Sequence, residues 1–390
     1  MFVVQVQSPL TAGLPLPTQP KGRLKAKLLL LTASLTFTFV TAEMGMRIAR
    51  LRPRSATVLS TYFQWDAKTG WRGRPNAECR FTTMDFDAWI SHGAEGFRRG
   101  GYEAPLAADR DASYRVVWCV GDSMTWGWGV DDGTTFVDCL NRHSTAGTRY
   151  RNLGHPGFSS IQEYLLLKEL FAAGYCPDQV LILFCINDLR ENVDGRDQDP
   201  PRPYLGLVDG TPRIANYPTP RAYVSNGVAW LKNHSLVCNY TNYYAMRAKQ
   251  NWRAMRAARA AGAPTAQMAC PPETCPPEQQ RGLEYAYGRI RDLCHEHKVE
   301  FCVASEFEVH PALREACRKL EIPLLDLSLC YARHAQSPNA VPAWHFQSDP
   351  HYTEFGHRLV AQGMREQLQA ISATVASNEP NESPTCPRRY

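Results

Sequence analysis

VVWCVGDSMTWGWGV, residues 116–130, begins as an apolar run, stops abruptly at Gly121-Asp122-Ser123, and then turns rich in glycine and tryptophan. Val116 to Val120 carry no charge, which suits a strand buried on both faces of a parallel sheet. A strand that runs into Gly-Asp-Ser lifts the serine hydroxyl out at the sheet's carboxyl end, where open α/β sheets keep their ligands. Ser123 is therefore a candidate nucleophile, and it needs a base, an orienting acid and donors for a developing oxyanion. Two common motifs do not fit. Thr125 stands two residues after the serine, so the elbow Gly-x-Ser-x-Gly is unmatched. No glycine-lysine-serine/threonine follows, which removes the phosphate loop.

Outward from Ser123, apolar strands alternate with amphipathic helices. QVLILFCI, VEFCVAS and IPLLDLS read as strands; TTFVDCLNRH, SSIQEYLLLKELFAAG, EQQRGLEYAYGRIRDLCHEHK, PALREACRKL and TEFGHRLVAQGMREQLQAI read as helices. This alternation predicts an α/β fold with a central parallel sheet covered on both faces. Residues 56–114 carry short aromatic, glycine-punctuated pieces and are expected to form a β-rich extension. The alternation lapses over about 190–278, an insertion after the third strand. Its proline-rich part, GRDQDPPRPYLGLVDGTPRIANYPTPR, reads as a loop, and NYTNYYAMRAKQNWRAMRAARAAGA as a helix. Residues 115–372 form the expected main domain, and 373–390 a disordered tail.

At 390 residues, with 44% hydrophobic and 21% charged, the chain has ample material for a core. A net charge of +5 gives no case for nucleic acid. The 13 cysteines include no Cys-x-x-Cys pair, so ribbon-type zinc and thioredoxin readings fall away. Cys270 and Cys275 in CPPETC are spaced to close a small disulfide loop in an oxidising compartment. In CHEHK, Cys294, His295, Glu296 and His297 point around a helix instead of converging, so no metal is expected there. Arg247, Arg253, Arg256 and Arg259 read as a solvated helix face, and Tyr240, Tyr243 and Tyr244 as either packing or a groove lining.

The N-terminal segment KGRLKAKLLLLTASLTFTFVTAEMGMRIAR sets Lys21, Arg23, Lys25 and Lys27 before the uncharged run Leu28 to Ala42. That is the basic and apolar layout of an export signal. Cleavage after Val40-Thr41-Ala42 would release the protein, whereas continuation to Ile48 would make an uncleaved anchor of about twenty residues. Residues 1–55 are read as signal or membrane anchor plus tether, with the catalytic domain outside the cytoplasm.

The candidate base lies near the far end, in SDPHYTEFGHRLVAQ. Asp349 stands two residues before His351, just ahead of a helix, so it can hold one imidazole nitrogen while the other faces the serine. NLGHPG places Gly154 and Gly157 in the turn after the second strand, where a backbone N–H can point inward. Asn187-Asp188 ends the third strand, and the Asn187 amide can donate to the same oxygen. Asp122 and Asp188 are supporting candidates.

These segments, GDS, NLGHPG, IND and DPHYTEFGH, resemble in order the four blocks of the SGNH (GDSL) hydrolase superfamily. The resemblance implies a flavodoxin-like three-layer α/β/α sandwich and metal-independent cleavage of acyl or acetyl esters, with no cofactor. It implies Ser123 as nucleophile, His351 as base and Asp349 as orienting acid, with Ser123 N–H, Gly157 N–H and the Asn187 side chain as oxyanion hole. Two positions depart from the common pattern. Cys185 occupies the usual glycine position before the asparagine, and Ser348 stands where an Asp-x-x-His spacing would put the acid. The expected function is an exported or membrane-tethered serine esterase acting on a small-molecule or glycan acyl ester. The alternatives are an O-acetyltransferase acting on envelope polysaccharide and a non-catalytic binding protein that kept the fold.

Overall fold

The computed structural model describes residues 21–51, 53–55, 61–109, 113–144, 147–194, 201–208, 211–219, 231, 234–260, 275–306, 308–335 and 343–378. Cys270, the side chains of Arg253, Arg256 and Arg259, and the tail beyond Asn378 lie outside the described residues. The chain divides into two units, Met1–Leu51 and Arg52–Tyr390. The first contains helix α1 (Lys21–Ile48). Its segment Leu24–Ile48 has a mean hydropathy of 1.5 over its apolar window and buries none of it, long and apolar enough to cross a membrane.

The second unit opens with five strands, β1 (Arg54–Ser55), β2 (Phe63–Asp66), β3 (Gly70–Gly73), β4 (Glu78–Thr82) and β5 (Asp87–Ser91). β2 and β3 form an antiparallel hairpin, while β4 pairs with β5 antiparallel and with β1 parallel. The main domain follows as β6 (Arg115–Gly121), α2 (Ser123–Trp126), α3 (Phe136–His143), β7 (Thr148–Asn152), α4 (Ser160–Ala172), β8 (Gln179–Leu183) and α5 (Asn187–Glu191). After it come the hairpin β9 (Tyr204–Val208) and β10 (Thr211–Ala215), then α6 (Leu236–Ala260), α7 (Pro277–Glu296), β11 (Glu300–Ala304), α8 (Pro311–Leu320), β12 (Leu324–Leu325), α9 (Ser328–Ala335) and α10 (Glu354–Asn378).

The central sheet is parallel throughout, in the order β12-β11-β8-β6-β7. Counting from β6, the strand order is second, first, third, fourth, fifth, the flavodoxin-like order expected for this fold class. Strand alternation divides the core. Val116, Trp118 and Val120 face the α4, α7 and α8 layer, whereas Val117 and Cys119 face α3, α9 and α10. Trp118 is fully buried and donates its indole N–H to Asp109, which also pairs with buried Arg151. Losing either the ring or the pair costs about 3–5 kcal/mol.

The insertion differs from the expected loop in its first part. Val208 pairs with Thr211 and Tyr204 with Ala215, giving the antiparallel hairpin β9–β10. YLGLV and TPRIA flank Asp209-Gly210, and Asp-Gly between strand-forming runs favours a two-residue hairpin connection. The topology puts one feature to use. Sheet order reverses between β6 and β8, so the carboxyl ends of these two strands flank the crevice where α/β folds bind ligands. Ser123 follows the first and Asn187 the second.

Candidate active site

Gly121 ends β6, and a side chain there would bring a Cβ within 2.2 Å of the Thr125 hydroxyl, so only glycine lets the chain turn this tightly. Asp122 then caps α2 by accepting from the Met124 N–H at 2.8 Å. Ser123 starts the helix, and Gly127 closes it in the left-handed conformation, its N–H donating to the Ser123 carbonyl at 3.0 Å. The serine backbone is thus fixed from both sides.

His351 lies on the loop before α10. Phe346 N–H donates to the His351 carbonyl and Thr353 N–H to the Trp344 carbonyl, so the loop is closed upon itself. Tyr352 is fully buried beneath it. His351 Nε2 stands 2.7 Å from Ser123 Oγ, and its Nδ1 hydrogen-bonds Asp349 Oδ1. The His351 backbone N–H donates to the same Asp349 oxygen at 3.0 Å. Burial alone would raise the Asp349 carboxyl, but the hydrogen bonds and charge of His351 and the Trp128 N–H hold it below its ordinary value. The neighbouring His345 and His357 are kept neutral by burial, with pKa values pushed down to about 4 and about 3.

The block after β7 runs alongside the serine turn. Leu153 N–H donates to Cys119 and His155 N–H to Gly121, extending the β6–β7 pairing past the strand end. Gly157 has φ +72, a conformation that L side chains rarely adopt. Asn187 begins α5; its Nδ2 donates to Glu191 Oε2 at 3.2 Å, and its Oδ1 is buried with no hydrogen-bond partner. The Asn187 amide has two hydrogens, so one stays free of Glu191.

The two supporting aspartates do different work. Asp122 caps α2 and approaches Ser123 Oγ at 3.4 Å. Asp188 is fully buried and accepts from Ser160 of α4 at 3.1 Å. Burial and the nearby Glu163 push its carboxyl well above the ordinary range. Cys185 is buried, and burial raises its thiol strongly, so it is an inert core group and not a nucleophile.

Four residues around the site were not singled out in the sequence reading: Trp71, Trp128, Glu191 and Arg202. Trp128 lies in the opening stretch, but nothing in the stretch itself tells which ring will reach a histidine more than 200 positions away. Tyr243 packs beneath the Arg54 guanidinium and accepts from Arg247, consistent with packing of the insertion. Among the described residues, no group of three His, Cys, Asp or Glu side chains is arranged to hold a metal ion. A cavity of about 380 Å³ lies beside the histidine loop, lined in part by Phe86, Gly129, Val130, Phe346 and Phe355; Ser123 is not in its wall.

Residues 119–311 match the GDSL-like Lipase/Acylhydrolase family. No curated protein matches the chain. Among solved structures, a lipolytic protein of the G-D-S-L family from Veillonella parvula is similar at 14% identity, covering 65% of this chain and 98% of that one, with a TM-score of 0.34. An acetyl xylan esterase from Geobacillus stearothermophilus is similar at 13% identity, over 65% of this chain and 94% of that one, at 0.33. A psychrotrophic esterase from Pseudoalteromonas sp. is similar at 10% identity, over 66% and 99%, also at 0.33. The stretch 119–311, which runs from strand β6 through β11 of the five-stranded parallel sheet, thus belongs to the GDSL-like lipase/acylhydrolase family.

Proposed function

We propose that this protein is a serine esterase that cleaves carboxylic esters through an acyl-enzyme. The observation that carries the reading is the continuous hydrogen-bonded line from Ser123 Oγ through the His351 ring to Asp349. In the first half-reaction Ser123 Oγ attacks the ester carbonyl carbon, and its proton passes to His351 Nε2. Asp349 holds Nδ1–H and stabilises the imidazolium that forms. The carbonyl oxygen becomes an oxyanion facing the Ser123 and Gly157 N–H groups and the Asn187 amide. Collapse expels the alcohol, which takes the proton from Nε2, and leaves the acyl group on Ser123. Water then attacks with His351 again as base, releasing the carboxylic acid and restoring the serine.

The same reading makes α1 an export signal or anchor and sets the catalytic domain outside the cytoplasm. At 1.5 Å per residue its 25-residue apolar segment is about 37 Å long, against a hydrocarbon core of about 30 Å. The test uses the full chain in detergent micelles with p-nitrophenyl acetate and a fluorophosphonate probe. Wild-type protein should hydrolyse the ester and take the label on Ser123. Ser123→Ala should lose the label and fall by about a million-fold in turnover. A variant that keeps a few per cent of the activity would move the nucleophile elsewhere. Untrimmed protein found free in the cytosol would remove the export half of the reading.

A further inference from the structure

We infer that Trp71 and Arg202, one from the N-terminal strands and the other from the insertion, are positioning residues that aim the two oxyanion donors supplied by Gly157 and Asn187. The inference rests on the serine-esterase reading above. It concerns a device built from two segments, one before β6 and one after β8, neither of which carries the nucleophile, the base or the acid.

The Gly157 N–H belongs to the peptide group that begins with the Pro156 carbonyl. In a planar trans peptide the C=O and the N–H point in opposite directions. The Trp71 indole N–H donates to the Pro156 oxygen at 3.1 Å. Anchoring that oxygen fixes the direction of the Gly157 N–H, because one end of the unit cannot turn without the other. Trp71 is itself fixed. It is 4% exposed, packs edge-on against Phe158, and its Cζ2 stands 3.5 Å from the place a Gly157 Cβ would occupy.

Arg202 reaches the other side of the same peptide turn. Its terminal nitrogen Nη1 donates to the Gly157 carbonyl at 2.9 Å and to Glu191 Oε2 at 2.6 Å. That Glu191 oxygen also accepts from Asn187 Nδ2 at 3.2 Å. A carboxylate there imposes the orientation of the amide, since turning Asn187 over would set its carbonyl oxygen against a negative charge. One guanidinium nitrogen therefore ties the main chain of the first donor to the group that orients the second. The guanidinium also lies over the Trp71 ring, 5.3 Å from its centroid, so the two residues support each other. Arg202 is 7% exposed, and Asn216 Nδ2 donates to its carbonyl at 2.8 Å.

Donors that are aimed before substrate arrives lower the barrier without tightening ground-state binding. The effect of loosening them should therefore appear in kcat and not in KM. Two conservative variants separate the parts. Trp71→Phe keeps a ring for packing and removes the N–H. Arg202→Lys keeps the positive charge and removes the planar group over Trp71. Both are assayed on the full chain in micelles with p-nitrophenyl acetate, and competent sites are counted by fluorophosphonate titration, so that unfolded protein lowers the titre and not the turnover per site.

We expect kcat per titrated site to fall by about tenfold in each, less than the hundredfold or more seen when an oxyanion donor itself is removed, with KM changed by no more than about twofold. The double variant should lose less than the product of the two, because both act on one device. Turnover per site at the wild-type level in both variants, or a loss carried by KM, overturns the inference while leaving the esterase reading in place. Retained activity in Ser123→Ala overturns the esterase reading, and the inference with it.

Discussion

Trp128 lies flat on the ring of His351, with centroids 4.9 Å apart and planes 16° from parallel, and its indole N–H donates to Asp349 Oδ2 at 3.1 Å. Asp349 thus gives one oxygen to the imidazole and the other to the tryptophan that covers it. In the proposed mechanism the indole face also meets the positive charge that His351 acquires in each half-reaction, an interaction worth about 0.5–2 kcal/mol.

This stack can be divided by two substitutions. Trp128→Phe keeps an aromatic face and loses the hydrogen bond; Trp128→Leu loses both. Turnover should drop by about threefold to tenfold in the first and further in the second, since about 1.4 kcal/mol corresponds to a factor of ten. Equal activities in wild type and Trp128→Leu would show that the ring is mere packing.

The acid of the proposed triad is tested by comparing two adjacent positions. Asp349→Asn should lower kcat by about ten-thousand-fold, because it upsets the tautomer that His351 needs. Ser348 is exposed and is held through its backbone N–H, which donates to Asp85, so Ser348→Ala should stay within about twofold of wild type. A crippled Ser348→Ala beside a near-native Asp349→Asn would reverse the assignment.

Gly121→Ala probes the turn under the serine. The added Cβ would meet the Thr125 hydroxyl at 2.2 Å, and relief of that contact must shift the backbone next to Ser123. Overpacking of this kind costs about 1–3 kcal/mol. A displacement near 1 Å at the nucleophile costs about a hundredfold in rate. Thermal unfolding and kcat should both respond; a variant with native kcat would mean that the turn yields away from the serine.

Stability should depend on pH through His92 and His155, whose pKa values burial pushes down to about 3. Both rings are committed as acceptors at Nε2, from the Trp126 indole N–H and the Gly73 N–H respectively. Below an ordinary histidine pKa of about 6.5 the unfolded chain gains these protons and the folded chain does not, so each residue withdraws up to about 1.4 kcal/mol per pH unit as pH falls from there towards 3. Glu163, Asp188 and Glu306 are raised by burial and act in the opposite sense, so the informative quantity is a difference between proteins. Relative to His155→Gln, wild-type protein should lose melting temperature steadily between pH 7 and pH 4.5. A difference that does not change with pH would rule out the titration.

The sheet was legible because burial on two faces leaves continuous apolar runs, as in Val116–Val120 and Val180–Phe184, with amphipathic helices between. Ser123, Gly157, Asn187, Asp349 and His351 were legible as site candidates because they sit at successive element boundaries in a recognisable order. The contacts of Trp71 and Trp128 were not. A hydrogen bond from Trp71 to Pro156 crosses 85 positions, and one from Trp128 to Asp349 crosses 221. Neither creates a periodic pattern, and a tryptophan that aims a donor looks in sequence like one that fills a core. The hairpin β9–β10 had a readable signal in Asp209-Gly210, masked by the prolines around it.

The hydrogen bond between Ser123 and His351 closes a stretch of 228 positions. Closing a flexible loop of that length costs about 5 kcal/mol of chain entropy before any contact is made, so this pair cannot form early in folding. Strands β6, β7, β8 and β11 must first be assembled to carry the two ends together. With the proposed triad, hydrolytic activity would therefore report on the last stage of folding: a chain emerging amino end first presents its serine long before its histidine, and would stay inert until α10 has docked.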